Sequence, residues 1–271
     1  MIKMVAADMD GTSLGTDENI SETNIKTIKK VINTGTEFIF ASGRPVYGIN
    51  LKIADAGLTD KIRYFIAYNG GIVYDTVNKE NIYTKIMDFG IIRKIYDTIL
   101  KNSPDLCFCL HEDEFIYVTQ DNEITTLEAE SNHQTKVMIN NIEDLSGKKF
   151  MKILLVGEHE KLKQAAEILK QSDVSADIKT MFSLDMLLEI LPADSDKSVA
   201  LKWFSEYLNI PMSEVLAIGD AENDTEMLKA AGYSAAMHNA YEHVKENADY
   251  ITEKNNDEDG LTEALEKFMD L

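Results

Sequence analysis

Short apolar runs that stop at an acidic or glycine-bearing turn punctuate both ends of this chain. Residues 2–7 run into Asp8-Met9-Asp10-Gly11-Thr12, residues 36–41 into Ser42-Gly43-Arg44-Pro45, residues 64–68 into Asn69-Gly70-Gly71, and residues 215–218 into Gly219-Asp220. Helical spacing fills the gaps. Residues 21–33 place Ile25, Ile28, Val31 and Ile32 on one stripe behind Ser21, a good N-cap, and further helices are expected over 47–56, 197–208, 222–231 and 240–247, with a strand at 234–237. Strands that alternate with helices specify a parallel sheet, because two parallel neighbours need a crossover connection between them.

The middle of the chain breaks that alternation. Residues 89–101 read as a helix, 106–118 as strand-rich, 150–156 as a strong strand, 161–170 as a helix, and 181–191 contain one more strand. The expected fold class is therefore α/β: a Rossmann-like, doubly wound parallel-sheet core made from residues 1–83 and 192–271, with residues 84–191 inserted as an α+β cap. The acidic stretch 255–259 reads as a solvated loop.

Composition narrows the class of partner. The 271 residues carry 27 Lys and Arg against 47 Asp and Glu, a formal charge of −20, which argues against a nucleic-acid partner because such binding needs clustered cations. No apolar run approaches the roughly 18 residues of a membrane span. Asp8 and Asp10 stand where a signal peptide would need its apolar stretch, and Cys107 and Cys109 are the only two cysteines. The expectation is a cytoplasmic protein without a disulfide framework or a membrane partner. Its oligomeric state is not legible from these features.

In a doubly wound sheet, ligands bind beyond the carboxyl ends of the strands. Four segments put polar residues there: Asp8 to Thr12, Ser42 to Arg44, Lys197 at a helix start, and Gly219-Asp220-Ala221-Glu222-Asn223-Asp224. Carboxylates gathered at one edge repel one another unless a cation joins them. An all-oxygen set without His or Cys favours Mg2+ and disfavours zinc. Ser42, Gly43 and Lys197 add donors and positive charge, which suits a phosphate monoester dianion. At physiological salt the Debye length is about 8 Å, so the remote surface carboxylates do little against a local Mg2+ and Lys197. Two neighbouring aspartates can also divide the labour of phosphoryl transfer, one as nucleophile and one as general acid and base.

These four segments, in this order, resemble the haloacid dehalogenase superfamily of phosphohydrolases, and most closely its Cof-type branch, whose large α+β cap is inserted after the third core strand. The resemblance extends over essentially the full chain. It rests on DMDGT, ASGRP, the lysine before a helix, and GDAEND. It implies that Asp8 is the nucleophile and Asp10 the acid and base, and that Met9, Ser42, Gly43, Lys197 and Asn223 meet the phosphate. It further implies that Asp220 ligates Mg2+ together with the Asp8 carboxylate and the Asp10 main-chain carbonyl. Asp224 then supports the outer shell of the metal, or Lys197. Two departures stand out: Ser198 follows Lys197 where the family usually has glycine, with a preceding loop glycine also missing, and His238 occupies a position often taken by glycine.

The expected function is Mg2+-dependent hydrolysis of a small phosphorylated metabolite, such as a sugar phosphate, through an aspartyl-phosphate. Substrate choice is expected to rest with residues 84–191. The alternatives are a phosphomutase or phosphotransferase on the same scaffold, and a receiver-like signalling module that accepts a phosphoryl group. Within the second segment, Arg44 reads as a residue that holds its loop. Cys107, Cys109 and His111 share one face of a strand, which could form a soft metal site but reads better as half-buried strand. Glu189 is open to a structural or a substrate-contacting reading.

Overall fold

The computed structural model describes residues 1–112 and 114–271. The chain begins with β1 (Met4–Ala7), α1 (Glu22–Asn33), β2 (Glu37–Ala41), α2 (Val46–Asp55), β3 (Tyr64–Ala67), β4 (Ile72–Asp75) and β5 (Glu80–Thr84). Its middle holds α3 (Phe89–Asn102), β6 (Cys107–Glu112), β7 (Phe115–Val118), α4 (Glu123–Ser131), β8 (Thr135–Met138), β9 (Ile153–Val156), α5 (His159–Lys170), β10 (Ile178–Leu184) and β11 (Leu187–Pro192). It closes with α6 (Lys197–Tyr207), β12 (Val215–Gly219), α7 (Thr225–Ala230), β13 (Tyr233–Ala236), α8 (Glu242–Lys245), β14 (Tyr250–Ile251) and α9 (Gly260–Phe268). Two compact units result: Met1–Arg44, Ile49–Tyr83 and Asp196–Leu271 form the first, and Pro45–Gly48 with Thr84–Ser195 the second.

The first unit is built on a sheet ordered β14-β13-β12-β1-β2-β3-β4-β5. It is parallel from β14 to β3, and β4 then runs antiparallel to β3. On one face Met4, Ala6, Ile39, Ala41, Val215 and Ala217 pack with Ala200, Leu201 and Phe204 of α6 and Met227 and Leu228 of α7. The alternate residues Val5, Ala7, Phe38 and Phe40 are equally buried. Burial of both faces is why these strands read as unbroken apolar runs.

The outer helices depart from the sequence reading in one instructive way. Ser21 caps α1 by accepting the Asn24 N–H at 3.0 Å, as expected. The buried stripe, however, is Asn24, Thr27, Ile28 and Val31, with Ile25 and Ile32 only half-buried. The cause is α9, which packs on α1 and whose Thr262 donates its N–H and hydroxyl to Asn24 Oδ1 at 3.1 and 2.9 Å. The acidic stretch before α9 is also anchored rather than merely solvated: Asp257 accepts the Thr16 N–H at 2.7 Å and Asp259 the Ser21 hydroxyl at 2.5 Å.

The second unit holds a sheet ordered β10-β11-β9-β6-β7-β8, antiparallel except between β7 and β8. Phe108, Leu110, Ile153, Leu155, Leu188 and Ile190 meet α3 and α5 on one face. The other carries Cys107, Cys109, Leu154 and Val156, packed with Ala129 of α4. The single strand expected within 181–191 is two, β10 and β11, paired as neighbours. Past β11 the Ala193 N–H still donates to Asp177 C=O at 2.9 Å, which keeps the chain with this unit to Ser195. Cys107 and Cys109 are fully buried thiols 3.6 Å apart, and no metal-ligating group including them is found among the described residues. Among the described residues, no helix is long and apolar enough to cross a membrane.

Candidate active site

Register brings three strand ends to one edge. Ala7 of β1 lies opposite Ile218 of β12 on one side and Phe40 of β2 on the other. The next residues of the three strands therefore share the carboxyl edge: Asp8 and Met9 in the centre, Gly219 and Asp220 on one flank, Ala41 and Ser42 on the other. The Asp8 N–H donates to Ile218 C=O at 2.9 Å, which extends the ladder to the site itself.

Beyond Asp8 the chain curls tightly. Met9 C=O accepts the N–H groups of Ser13 and Leu14 at 2.9 and 2.8 Å, and Ser13 Oγ donates to Asp8 C=O at 2.5 Å. The Met9 side chain is buried, so only its main chain is left to meet a ligand. Gly11 has φ of +74°, and a Cβ there would lie 2.3 Å from Asp220 Oδ2. Only glycine satisfies both the left-handed backbone and this close approach. Thr12 Oγ1 then donates to Asp220 Oδ1 at 2.6 Å, tying the two acidic turns together.

Lys197 is the first residue of α6 and is fully buried. Asp196 caps that helix by accepting the Val199 N–H at 2.9 Å. Ser198, the departure from the family pattern, donates its hydroxyl to the same Asp196 carboxylate at 2.6 Å and so reinforces the cap. Lys197 Nζ donates to Asp8 Oδ1 at 2.6 Å and to Asp224 Oδ1 at 2.7 Å. Asp224 Oδ2 accepts the N–H groups of Asp220 and Ala221 at 3.0 and 3.1 Å, so both its oxygens are engaged within the protein. Each of Asp8, Asp220 and Asp224 offers a carboxylate oxygen within 4.8 Å of the others.

Two carboxylates thus share one ammonium, with a third beside them, and the electrostatics follow. Burial, reinforced by Asp224, pushes the Asp8 carboxyl well above its ordinary range despite the opposing pull of Lys197. Burial and Asp224 together raise Asp220 to about 7, against a hydrogen bond from Thr12. For Lys197, burial disfavours the charged form, but Asp224 and Asp8 outweigh it and hold the ammonium above its ordinary value. When all three are ionised such a set carries surplus negative charge in a low-dielectric site, and a hard divalent cation with oxygen ligands fits it.

Asp10 lies apart from this cluster in its side-chain contacts. Its carboxylate is half-exposed and grips Arg44, whose Nε donates at 3.1 and 3.0 Å and Nη2 at 2.7 Å. Arg44 is itself buried and lies 3.8 Å from Glu18, which pairs with Lys52 at 3.0 Å. Ser42 is buried, and its Oγ accepts the Arg44 N–H at 3.1 Å. Gly43 lies beside Asn69: a Cβ at Gly43 would stand 3.0 Å from Asn69 Nδ2. Asn223 Nδ2 donates to Asn69 Oδ1 at 2.9 Å.

Two residues that hold this site escape the sequence reading. Asn69 reads there only as part of a strand stop. Asn239, beside His238, donates to Gly11 C=O at 2.8 Å and so links the turn after β13 to the first loop. The signal for Asn69 is the Asn-Gly-Gly run at a fourth strand end; for Asn239 no local pattern points to the contact.

Comparison with known proteins agrees with this geometry. The model of the haloacid dehalogenase-like hydrolase family matches residues 5–265. A putative phosphatase of Streptococcus pyogenes is 29% identical, covering 99% of this chain and 98% of that protein. The 5-amino-6-(5-phospho-D-ribitylamino)uracil phosphatase YwtE of Bacillus subtilis is 30% identical, with coverage of 99% and 98%. Among solved structures, a haloacid dehalogenase-like hydrolase from Bacteroides thetaiotaomicron superposes with a TM-score of 0.90 at 30% identity, covering 99% of this chain and 100% of that one.

Proposed function

The chain belongs to the haloacid dehalogenase-like hydrolases and is a phosphatase of that family, and on this premise we propose that it hydrolyses a small phosphorylated metabolite through a phosphorylated Asp8, with Mg2+ as cofactor. The observation that carries the reading is the enclosed group of Asp8, Asp220 and Asp224 around Lys197 at the carboxyl ends of adjacent parallel strands. In this reading Asp8, Asp220 and the Asp10 main-chain carbonyl hold the metal, and Asp224, whose oxygens are engaged by Lys197 and two backbone amides, holds Lys197 and the Asp220 turn. Bound there, Mg2+ supplies positive charge that offsets the carboxylates and the phosphoryl oxygens.

The residues divide the chemistry. An Asp8 oxygen attacks phosphorus, and the bond from phosphorus to the leaving oxygen breaks. Asp10 gives that oxygen its proton. Asp10 then takes a proton from water, whose oxygen attacks phosphorus and frees Asp8 and inorganic phosphate. Lys197, Ser42, Gly43, Asn223 and the Met9 main chain orient the phosphoryl group, which matters most because its transition state is loose.

Substrate choice is assigned to the second unit, since all four motif segments lie in the first. A phosphorylated sugar or polyol is the favoured class, supported by the phosphoribityl substrate in the name of the relative YwtE. The cytoplasm is the proposed compartment. The test is phosphate release from p-nitrophenyl phosphate and a panel of sugar and polyol phosphates, with Mg2+ or EDTA, for the wild type and Asp8→Asn. Release that requires both Mg2+ and Asp8 supports the proposal. Release that survives EDTA or Asp8→Asn contradicts it.

A further inference from the structure

The turn after β3 is the most strained backbone in the first unit. Tyr68, Asn69 and Gly70 take φ of +52°, +51° and +94° in succession. Two consecutive non-glycine residues in the left-handed region are uncommon, and such strain persists only where the surroundings enforce it. Here they do, from three directions. The Tyr68 and Asn69 N–H groups donate to Arg44 C=O and Ser42 C=O at 3.1 and 3.0 Å. Gly70 abuts the residue before Lys197 so closely that a Cβ would stand 2.0 Å from Asp196 C=O. The Asn69 carboxamide accepts from Asn223 at 2.9 Å and lies against Gly43.

One short turn therefore touches the Ser42 loop, the start of α6 and the Asn223 turn, three of the four segments around the phosphate site. We infer that Asn69 is a positioning residue, whose carboxamide aligns that of Asn223 for the phosphoryl group. The left-handed backbone aims its side chain between the Ser42 loop and the Asn223 turn. Asn suits the position because it tolerates this conformation and offers an acceptor to Asn223 while adding no negative charge beside an anionic ligand. This inference rests on the reading of Asn223 as a phosphate contact, and it adds a residue outside the four motifs.

The test uses Asn69→Gly, which removes the carboxamide but keeps the left-handed backbone easy, so the variant folds. It is compared with Asn223→Ala and the double variant, by kcat and KM for p-nitrophenyl phosphate and by inhibition with inorganic phosphate. Asn69→Gly should weaken phosphate inhibition and raise KM about tenfold, the loss of one aligned hydrogen bond. Because Asn69 acts through Asn223, the double variant should be no worse than Asn223→Ala alone. Effects that multiply, or an Asn69→Gly enzyme that binds phosphate normally while Asn223→Ala does not, overturn the inference and leave the phosphatase reading standing. Normal phosphate inhibition in Asn223→Ala overturns the phosphate contact itself, and this inference with it.

Discussion

Both units bury charge, and they do so in opposite ways. In the second unit Lys152 and Glu189 face each other as a pair of opposite charges at 3.0 Å, each about 5% exposed. The neighbouring His111 is buried, and its Nδ1 lies 2.7 Å from Gln134 Oε1. Gln134 Nε2 donates to Phe115 C=O at 3.2 Å, so its oxygen faces the ring and the imidazole carries its proton on Nδ1. In the first unit two carboxylates, Asp8 and Asp224, share one buried ammonium, and a third, Asp220, stands within 4.8 Å of them. In a pair such as Lys152 and Glu189 each buried charge is set against the other, and removing one partner is costly. An unbalanced cluster is costly in the protein alone, and it makes physical sense as a site that something positive completes.

The sharpest way to break the comparison is to remove the nucleophile. Asp8→Asn should lower kcat by at least about 1,000-fold while far-ultraviolet circular dichroism stays unchanged. Activity near the wild type would mean that the cluster is not the reaction centre. Next in size is the Lys152–Glu189 pair. Lys152→Met takes the ammonium at 3.0 Å from the buried Glu189 and should cost about 3–5 kcal/mol in urea unfolding, whereas Lys152→Met with Glu189→Leu should recover part of that loss. A double variant as unstable as the single one would mean that the pair does more than fill space.

A third prediction concerns pH. Burial first, then Lys152, hold His111 down to about 4, against Gln134 and Glu189, while Glu128 Oε1 lies 3.5 Å from its Nε2. An unfolded histidine titrates near 6.5, so between about 6.5 and 4 the unfolded chain holds the extra proton. This contribution is therefore intact above pH 6.5 and falls away as the pH drops toward 4, by up to about 3 kcal/mol. Comparing the acid limbs of stability for wild type and His111→Gln checks it, since the variant should lack that part of the slope. The smallest effect tests the scaffold alone. Ser21→Ala removes the cap of α1 and its bond to Asp259 and should cost about 1–2 kcal/mol, with kcat unchanged.

Much of the first unit was legible because both faces of its sheet are covered. Strands such as β1 and β12 become apolar runs that end where burial ends, and the polar residues at those ends, Asp8, Ser42 and Asp220, are the ones the register gathers. Lys197 was legible as a cation at a helix start. The unread parts depend on long-range packing. Ile25 looks like a core residue until α9 arrives with Thr262 and turns Asn24 inward. The grip of Arg44 on Asp10 and the contact of Asn69 with Asn223 join segments 34 and 154 residues apart, and no local spacing encodes them. In the second unit β10 and β11 merged into one expected strand, because Ser183 to Met186 carries neither glycine nor proline to mark the turn.

The proposed divalent-cation site of the first unit can be tested directly, with the buried Lys152–Glu189 pair of the second as the control. Calorimetric titration of Mg2+ into the metal-free wild type, Asp220→Asn and the double variant Lys152→Met, Glu189→Leu addresses it in one experiment. The account predicts one ion per chain in the wild type and in the second-unit variant, and binding at least tenfold weaker in Asp220→Asn. Equal binding by wild type and Asp220→Asn, or no binding by the wild type, would contradict it.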